Sequence, residues 1–313
     1  MRFSVIIPLY NKAPYVRKTL ESAIGQTFDD YEIVVVDDGS SDGSAEIAEE
    51  ILKSGGKSFQ LIRQKNSGVS AARNVGINIS NGEFICFLDG DDWWDCSFLN
   101  EIDTLILQYP DSGLYCTNYY YVHNGKNTVK LDIPYGPFNY CKEYARTQCM
   151  SATSSSTCIK KDILNETGGF KTSLKLGEDF DLWIRVALKY GSVINDKPLA
   201  YYNNDLPSSD RATHHLHKPE SHMLWNLDYL SYEEKINPDY KQLIDNLRVY
   251  SLFPYFLSPE YHDMAKKELG KVDWSKQPDK KKSLYLKPLW YLRIRQKTLT
   301  YGSKIKKWII KHI

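Results

Sequence analysis

The chain reads as an α/β protein built on a mainly parallel sheet flanked by helices, with a helical extension towards its C-terminal end. Three observations carry that reading. Runs that are apolar throughout, such as "FSVIIPLY" and "YEIVVVD", alternate with helical patterns over the first hundred residues; strands with no polar face belong in a parallel sheet covered on both sides. Carboxylates gather just after two of these runs, at Asp37-Asp38 and at Asp89, Asp91 and Asp92, and open parallel sheets bind ligands beyond the carboxyl ends of their strands. Near residue 218 the texture turns tyrosine-rich, polar and helical, which predicts a first domain over 1–218 and a helical region with a basic amphipathic tail over 219–313.

Each element has its own signal. After "FSVIIPLY", Pro14 opens a helix whose apolar positions Val16, Leu20 and Ile24 recur every fourth residue. "YEIVVVDDGS" is a β-branched run ended by a turn cluster, and "SDGSAEIAEEILKSGG" is a helix closed by glycine. "FQLIRQK", "SGVSAARNVGINISNG" and "EFICFLD" continue as strand, helix and strand. "CSFLNEIDTLILQYP" predicts a helix and "SGLYCTNYYYV" a strand. Residues 124–150 read as loop-rich. Helical patterns return in "KKDILNETGGF" and "GEDFDLWIRVALKYG", and "SVINDKPLAYY" closes the series as a strand.

Composition is that of a globular protein, with 42% hydrophobic and 25% charged residues in 313. "MRFSVIIPLYN" enters a strand-like run with no basic n-region or cleavage site, so no signal peptide is expected. No stretch approaches the length of a membrane span. The six cysteines form no C-x-x-C pair and several lie in apolar runs, which suits buried thiols in a reducing cytoplasm. The net charge of +1 conceals an asymmetry: from Lys276 onward there are twelve basic residues against Asp279 alone, +11, leaving 28 basic against 38 acidic, −10, before it.

The chemistry concentrates in three places. In "FICFLDGDDWW", three carboxylates fall within four positions at a strand end. Such a knot is costly without a cation, and Mg²⁺ or Mn²⁺ is typically held by a few carboxylates and completed by water and substrate phosphates; the competing reading is a cap for the helix that follows. In "VVVDDGSSDGS", Asp38 is placed to accept from a base N–H or a ribose hydroxyl, or else merely to form a turn. Glu178 and Asp179 open a helix, where the dipole favours acids without any functional reason. Two look-alikes fail. "SGGKS" lacks the first glycine of a phosphate loop, since Ile51 stands there, and His214, His215, His217 and His222 lack H-E-x-x-H and nearby Cys ligands.

In combination and in order, "SVIIPLYNKAPYVRKTLESAIGQTFDDYEIVVVDDGSSDGS", "SGVSAARNVGI", "GEFICFLDGDDWW" and "GGFKTSLKLGEDFDLWIRVAL" resemble the family 2 glycosyltransferases of the GT-A fold, over roughly residues 3 to 205. The resemblance implies an inverting, metal-dependent hexosyl- or N-acetylhexosaminyl-transferase of the bacterial surface-polysaccharide type. Its donor would be a nucleotide-sugar, UDP-linked, and its acceptor a hydroxyl of a growing or lipid-linked glycan. Pro8, Tyr10 and Asn11 would lie on the first nucleotide-binding loop, Asp38 would contact the base, and Arg73 would lie near the donor. Asp89, Gly90 and Asp91 would form the D-x-D element, with Asp91 the direct ligand of Mn²⁺ or Mg²⁺ and Asp89 facing ribose or sugar. Asp179 of the Glu178-Asp179 pair would be the catalytic base. One departure is Asn203, where relatives often carry an arginine that contacts the diphosphate; Arg211 or a nearby histidine would have to substitute.

The tail mixes Lys and Arg with Leu, Trp, Tyr and Ile. That pattern predicts attachment of 276–313 to an anionic membrane surface, the inner face of the plasma membrane for a cytoplasmic protein; the alternative is a basic helix packed on the acidic body. No module for nucleic acid accompanies the charge. Two functional rivals stand beside the transferase: a catalytically inactive glycan- or membrane-binding protein of the same fold, and a nucleotidyltransferase.

Overall fold

The apolar runs become neighbours in one sheet. In the computed structural model, which describes residues 1–129, 131–147, 152–206 and 216–295, the chain divides into two compact units, Met1–Asn226 and the residues from Leu227 onward.

The strands of the first unit are β1 (Phe3–Leu9), β2 (Tyr31–Asp37), β3 (Ser58–Arg63), β4 (Phe84–Phe87), β5 (Trp93–Trp94), β6 (Leu114–His123), β7 (Lys126–Val129), β8 (Gly136–Phe138), β9 (Thr157–Lys160) and β10 (Ser192–Asn203). Its helices are α1 (Val16–Ile24), α2 (Ser44–Ser54), α3 (Val69–Ile79), α4 (Phe98–Gln108), α5 (Tyr140–Thr147), α6 (Lys161–Thr167) and α7 (Glu178–Tyr190). The sheet order is β3-β2-β1-β4-β9-β6-β10-β5, with β7 on β6 and β8 on β10. Every residue of β1 and β2 is buried, as expected for central strands covered on both faces. Strands β3, β2, β1 and β4 run parallel, as do β6 and β10, whereas β9 is antiparallel to both β4 and β6. The sheet is therefore mixed but mostly parallel.

Two sequence expectations need correction. Residues 124–150 are not simply loop: β7, β8 and α5 lie there. The short strands β5 and β9 were not foreseen either, and β9 is what joins the two parallel halves. A two- to four-residue strand is too short to display a period. Of the cysteines, Cys86, Cys116, Cys141 and Cys158 are buried and Cys96 is exposed; Cys149 lies outside the described residues.

A second aromatic layer ties α7 to the sheet. Phe87, Phe170 and Trp183 stack edge-on or tilted with ring centroids 5.3 to 5.8 Å apart, and Phe87 is the last residue of β4, two positions before Asp89. The packing that anchors α7 thus also fixes the end of the strand that carries the carboxylates.

In the second unit lie α8 (Ser231–Ile236), α9 (Pro238–Ser251), α10 (Phe253–Leu257), α11 (His262–Leu269) and α12 (Asp279–Tyr285). Its interior contains Arg248, 1% exposed, whose guanidinium faces Glu234, Asp245 and Glu268 at 2.5, 3.5 and 3.4 Å. No helix among the described residues is long and apolar enough to cross a membrane.

Candidate active site

Beyond the ends of β1, β2 and β4 the chain leaves the sheet in three loops, and the first half of α3, the start of α7 and the end of β10 lie beside them. Asp38 follows β2 directly. Its carboxylate is 3% exposed and both oxygens are engaged: Oδ1 accepts from Ser67 N at 2.8 Å and Gln64 Nε2 at 2.7 Å, and Oδ2 from Gly68 N at 2.8 Å. Asp38 therefore shapes the loop that leads into α3.

Of the residues assigned to the first loop, Tyr10 and Asn11 lie on it and Pro8 does not. Pro8 is a buried position within β1, paired with Val36 of β2. Asn11 takes a positive φ of 50°, which asparagine tolerates better than most residues, and its side-chain oxygen accepts from Ser41 N at 2.9 Å. Tyr10 is 48% exposed. This loop also carries Lys12, whose Nζ donates to Asp91 Oδ2 at 2.6 Å. Nothing in the sequence singled out Lys12; its only signal is a lone basic residue directly after the first strand.

The three aspartates after β4 do three different things. Asp92 is buried and structural: it accepts from Ser155 Oγ at 2.6 Å and from Asn203 N at 2.8 Å, and burial, with Asp91 and Asp89 beside it, pushes its pKa well above the usual carboxylate value. Asp91 pairs with Lys12; desolvation still raises its pKa although the lysine opposes the shift. Asp89 pairs with Arg73 at 2.7 Å. Between them, Gly90 passes close to β1, where a Cβ would stand 3.2 Å from Pro8 O. Asn203, the position that departs from the family pattern, supplies its backbone N–H to Asp92 and caps Asp205 N with its side chain. Arg211, His214 and His215 lie outside the described residues.

Arg73 is the joint of the site. It is 3% exposed and gives one nitrogen to Asp89 and another to Glu178 Oε1 at 3.1 Å. Burial opposes its charge, but Asp89, Glu178 and Asp179 raise its pKa above the ordinary arginine value. The next residue, Asn74, both donates to Phe170 O (2.8 Å) and accepts from Phe170 N (2.9 Å). Two neighbours on α3 thereby tie the D-x-D loop and the approach to α7 to one helix.

Asp179 sits in the first turn of α7. Gly177 precedes that turn with φ +82°, and a Cβ there would meet Met223 Cβ at 2.9 Å. The segment carrying Met223 runs alongside: Lys175 N donates to Ser221 O and Met223 N to Leu176 O, with Leu176 and His222 in a parallel bridge. Burial lowers the His222 pKa to about 4, so the ring is neutral. Desolvation first, then the neighbouring Glu178, pushes the Asp179 carboxyl up to about 7, against the pull of Arg73. A carboxyl group held near neutrality is suited to proton transfer.

Tyr202 completes the enclosure. Its ring lies nearly parallel to Tyr121 at 6.0 Å, and burial together with Asp92, Asp89, Asp91 and Asp179 raises its phenol pKa. Sequence reading missed it, as it missed Ser155, because a tyrosine-rich strand and a serine run carry no positional signal.

Among the described residues no group of three or more His, Cys, Asp or Glu side chains is gathered to hold a metal ion. The donor set nonetheless fits a hard divalent cation. Asp91 is a desolvated oxygen ligand whose partner is already a cation, the Lys12 ammonium, and Mg²⁺ or Mn²⁺ in nucleotide sites needs only one or two carboxylates besides phosphate and water.

Comparison with known proteins agrees with this architecture. The chain is 40% identical to the glycosyltransferase GlyA of Streptococcus pneumoniae over 204 residues, 62% of this chain and 29% of that protein. It is 29% identical to the minor teichoic acid biosynthesis protein GgaA of Bacillus subtilis over 207 residues, 62% of this chain and 46% of that one. The matches thus span less than half the length of these relatives. Among solved structures, S. aureus TarS 1-349 in complex with UDP-GlcNAc superposes with a TM-score of 0.73 at 20% identity, covering 91% of this chain and 84% of that one. The Pyrobaculum calidifontis mannosyltransferase PcManGT in complex with GDP-Man and Mn²⁺ gives 0.60 at 17% identity, covering 98% and 82%. The model of the family described as "Glycosyl transferase family 2" matches residues 4–168, more than half of the sequence, and on that footing the chain belongs to glycosyl transferase family 2 and has the GT-A fold.

Proposed function

We propose that the protein is an inverting glycosyltransferase that moves a sugar from a nucleotide-sugar, UDP-linked, to a hydroxyl of a growing or lipid-linked surface glycan. The observation that carries this reading is Asp179: a carboxyl group with its pKa near 7, coupled through Arg73 to the D-x-D loop. In the reaction the acceptor oxygen attacks the anomeric carbon as the bond to the diphosphate breaks, and Asp179 takes the hydroxyl proton. Attack on the face opposite the leaving group inverts the centre.

Asp91 would hold the Mn²⁺ or Mg²⁺, with Asp89 beside it. When bound, the cation supplies charge that stabilises the departing diphosphate. Lys12 exchanges its partner at that point, leaving Asp91 for the phosphates. Tyr10 and Asn11 would border the nucleotide; Asp38, with three of its four acceptor sites engaged by the loop, would hold the wall of the base pocket and offer the one that remains to the base. Pro8 and Gly90 would act through the close approach of their backbones, and Glu178 by holding Arg73 and keeping the Asp179 pKa high. The basic tail supports work at an anionic membrane surface; residues 296–313 of that tail lie outside the described residues.

The test is titration calorimetry with UDP in Mn²⁺ and in EDTA, on the wild type and on Asp91→Ala. Binding that requires both the cation and Asp91 is expected. The neighbours above hold UDP-GlcNAc and GDP-Man, so GDP is titrated in parallel. Absence of binding for UDP would reject the UDP-linked donor, and absence for GDP, CMP and dTDP as well would favour the catalytically inactive reading; equal binding in EDTA would reject the metal assignment.

A further inference from the structure

The second unit carries a feature that the proposed reaction does not use. Around α12, the side chains of Lys280, Lys281, Ser283, Leu284, Lys287 and Arg295 line an open cavity of about 450 Å³. Four of these six are cationic and none is acidic. Over residues 279–295 the sequence holds six basic residues and one acid, a net +5. Lys281 is pressed inward, its Nζ 3.9 Å from the centre of the Tyr250 ring, and burial followed by repulsion from Lys280 lowers its pKa. Cations crowded against one another around an open cavity are relieved by an anion, as a phosphate would do.

Exposed apolar side chains adjoin these residues in sequence. Leu286 is 79% exposed, Trp290 66% and Ile294 57%. Residues 289–295 are helical. Leu292 on this helix is 2% exposed and Arg293 donates to Leu257 O at 2.9 Å, so one side faces the unit while Trp290 and Ile294, one turn apart, face away from it. A large aromatic and two aliphatic side chains held out in water beside a cluster of lysines is costly for a surface meant to stay wet. It is the composition of a surface that sits at lipid headgroups, with phosphates met by Lys and Arg and the tryptophan at the headgroup level.

We propose that the cavity between α12 and Arg295 is a binding site for the phosphate of an anionic lipid headgroup, with Leu286, Trp290 and Ile294 inserted alongside it into the bilayer. The site shares with the proposed function only the expectation of an anionic membrane, and it needs no sugar transfer to be tested. Charge complementarity selects the occupant: an apolar protein partner would leave the four cations unanswered, and the remaining tail, itself rich in lysine, cannot neutralise them.

The experiment is sedimentation of the full chain with vesicles of phosphatidylcholine alone and of phosphatidylcholine doped with phosphatidylglycerol. Lys280→Gln, Lys287→Gln and Arg295→Gln are combined in one variant; all three side chains are exposed, so the fold is not at stake, and an unchanged thermal midpoint checks this. At about 1 kcal/mol per basic residue near an anionic surface, the triple variant should partition roughly a hundredfold less onto the doped vesicles. Trp290→Ala should weaken binding without altering its salt dependence. UDP affinity should be the same in all variants, which separates failure here from failure of the transferase reading. Equal binding to phosphatidylcholine alone overturns the proposal, as does full retention by the triple variant. Binding of inorganic phosphate at these residues with no affinity for vesicles overturns it too, by making the cavity a site for soluble phosphate.

Discussion

Asp179 is a base only if it is ionised when the acceptor arrives, so its raised pKa sets a pH dependence. A carboxyl group near 7 is protonated below that pH, and kcat/KM should fall as pH drops through about 7. Glu178 is the charged neighbour that raises it most, and Arg73 the one that lowers it. Glu178→Gln removes the first and frees the second to turn towards Asp179, so both effects have the same sign and the acidic limb should move to lower pH. Asp179→Asn should lower kcat by at least about a hundredfold with UDP affinity nearly unchanged. A pH profile of kcat/KM for the three proteins decides the assignment: a limb that stays in place in Glu178→Gln, or an Asn variant of normal turnover, would remove Asp179 from the role.

At the scale of elements, the β-α alternation was readable because central strands are apolar on both faces, and once β2 and β4 are placed, Asp38 and Asp89 to Asp92 follow to the binding edge. What was not readable is who pairs with whom. Lys12 meets Asp91 across 79 positions and Arg73 meets Glu178 across 105; no local pattern encodes such pairs, and the ordinary expectation for a lone arginine is a solvated one. Local reasoning likewise gave Glu178 and Asp179 to the helix dipole, whereas the fold commits Glu178 to a buried guanidinium. In the second unit Arg248 gathers carboxylates in the interior in the same way. Arg248→Ala would leave Glu234, Asp245 and Glu268 facing one another without their shared cation, a loss of about 3–5 kcal/mol for breaking a buried pair, while Lys241 and Lys271 at the edge offset part of the repulsion. Urea unfolding should show the midpoint shift, and an unchanged midpoint would mean that the cluster is hydrated and weak.

Across the whole molecule, charge is distributed by task. Asp38, Asp89, Asp91 and Asp92 follow the ends of β2 and β4, and Lys280, Lys281 and Lys287 of the second unit gather at α12, so an acidic cleft and a basic surface belong to one chain of net charge +1.

One guanidinium serving two motifs also makes their effects inseparable. Asp89 and Glu178 divide Arg73 between them, so losing either one leaves the other with a stronger hold on the arginine, and losing both strands it. Substitutions at 89 and 178 should therefore show epistasis: in a double-mutant cycle of Asp89→Asn and Glu178→Gln, read on stability, the pair should cost more than the sum of the singles by about 0.5–3 kcal/mol. Additive effects would mean that the two contacts are independent. If the cycle couples as expected, these two positions, 89 residues apart in sequence, behave as a single mutational target.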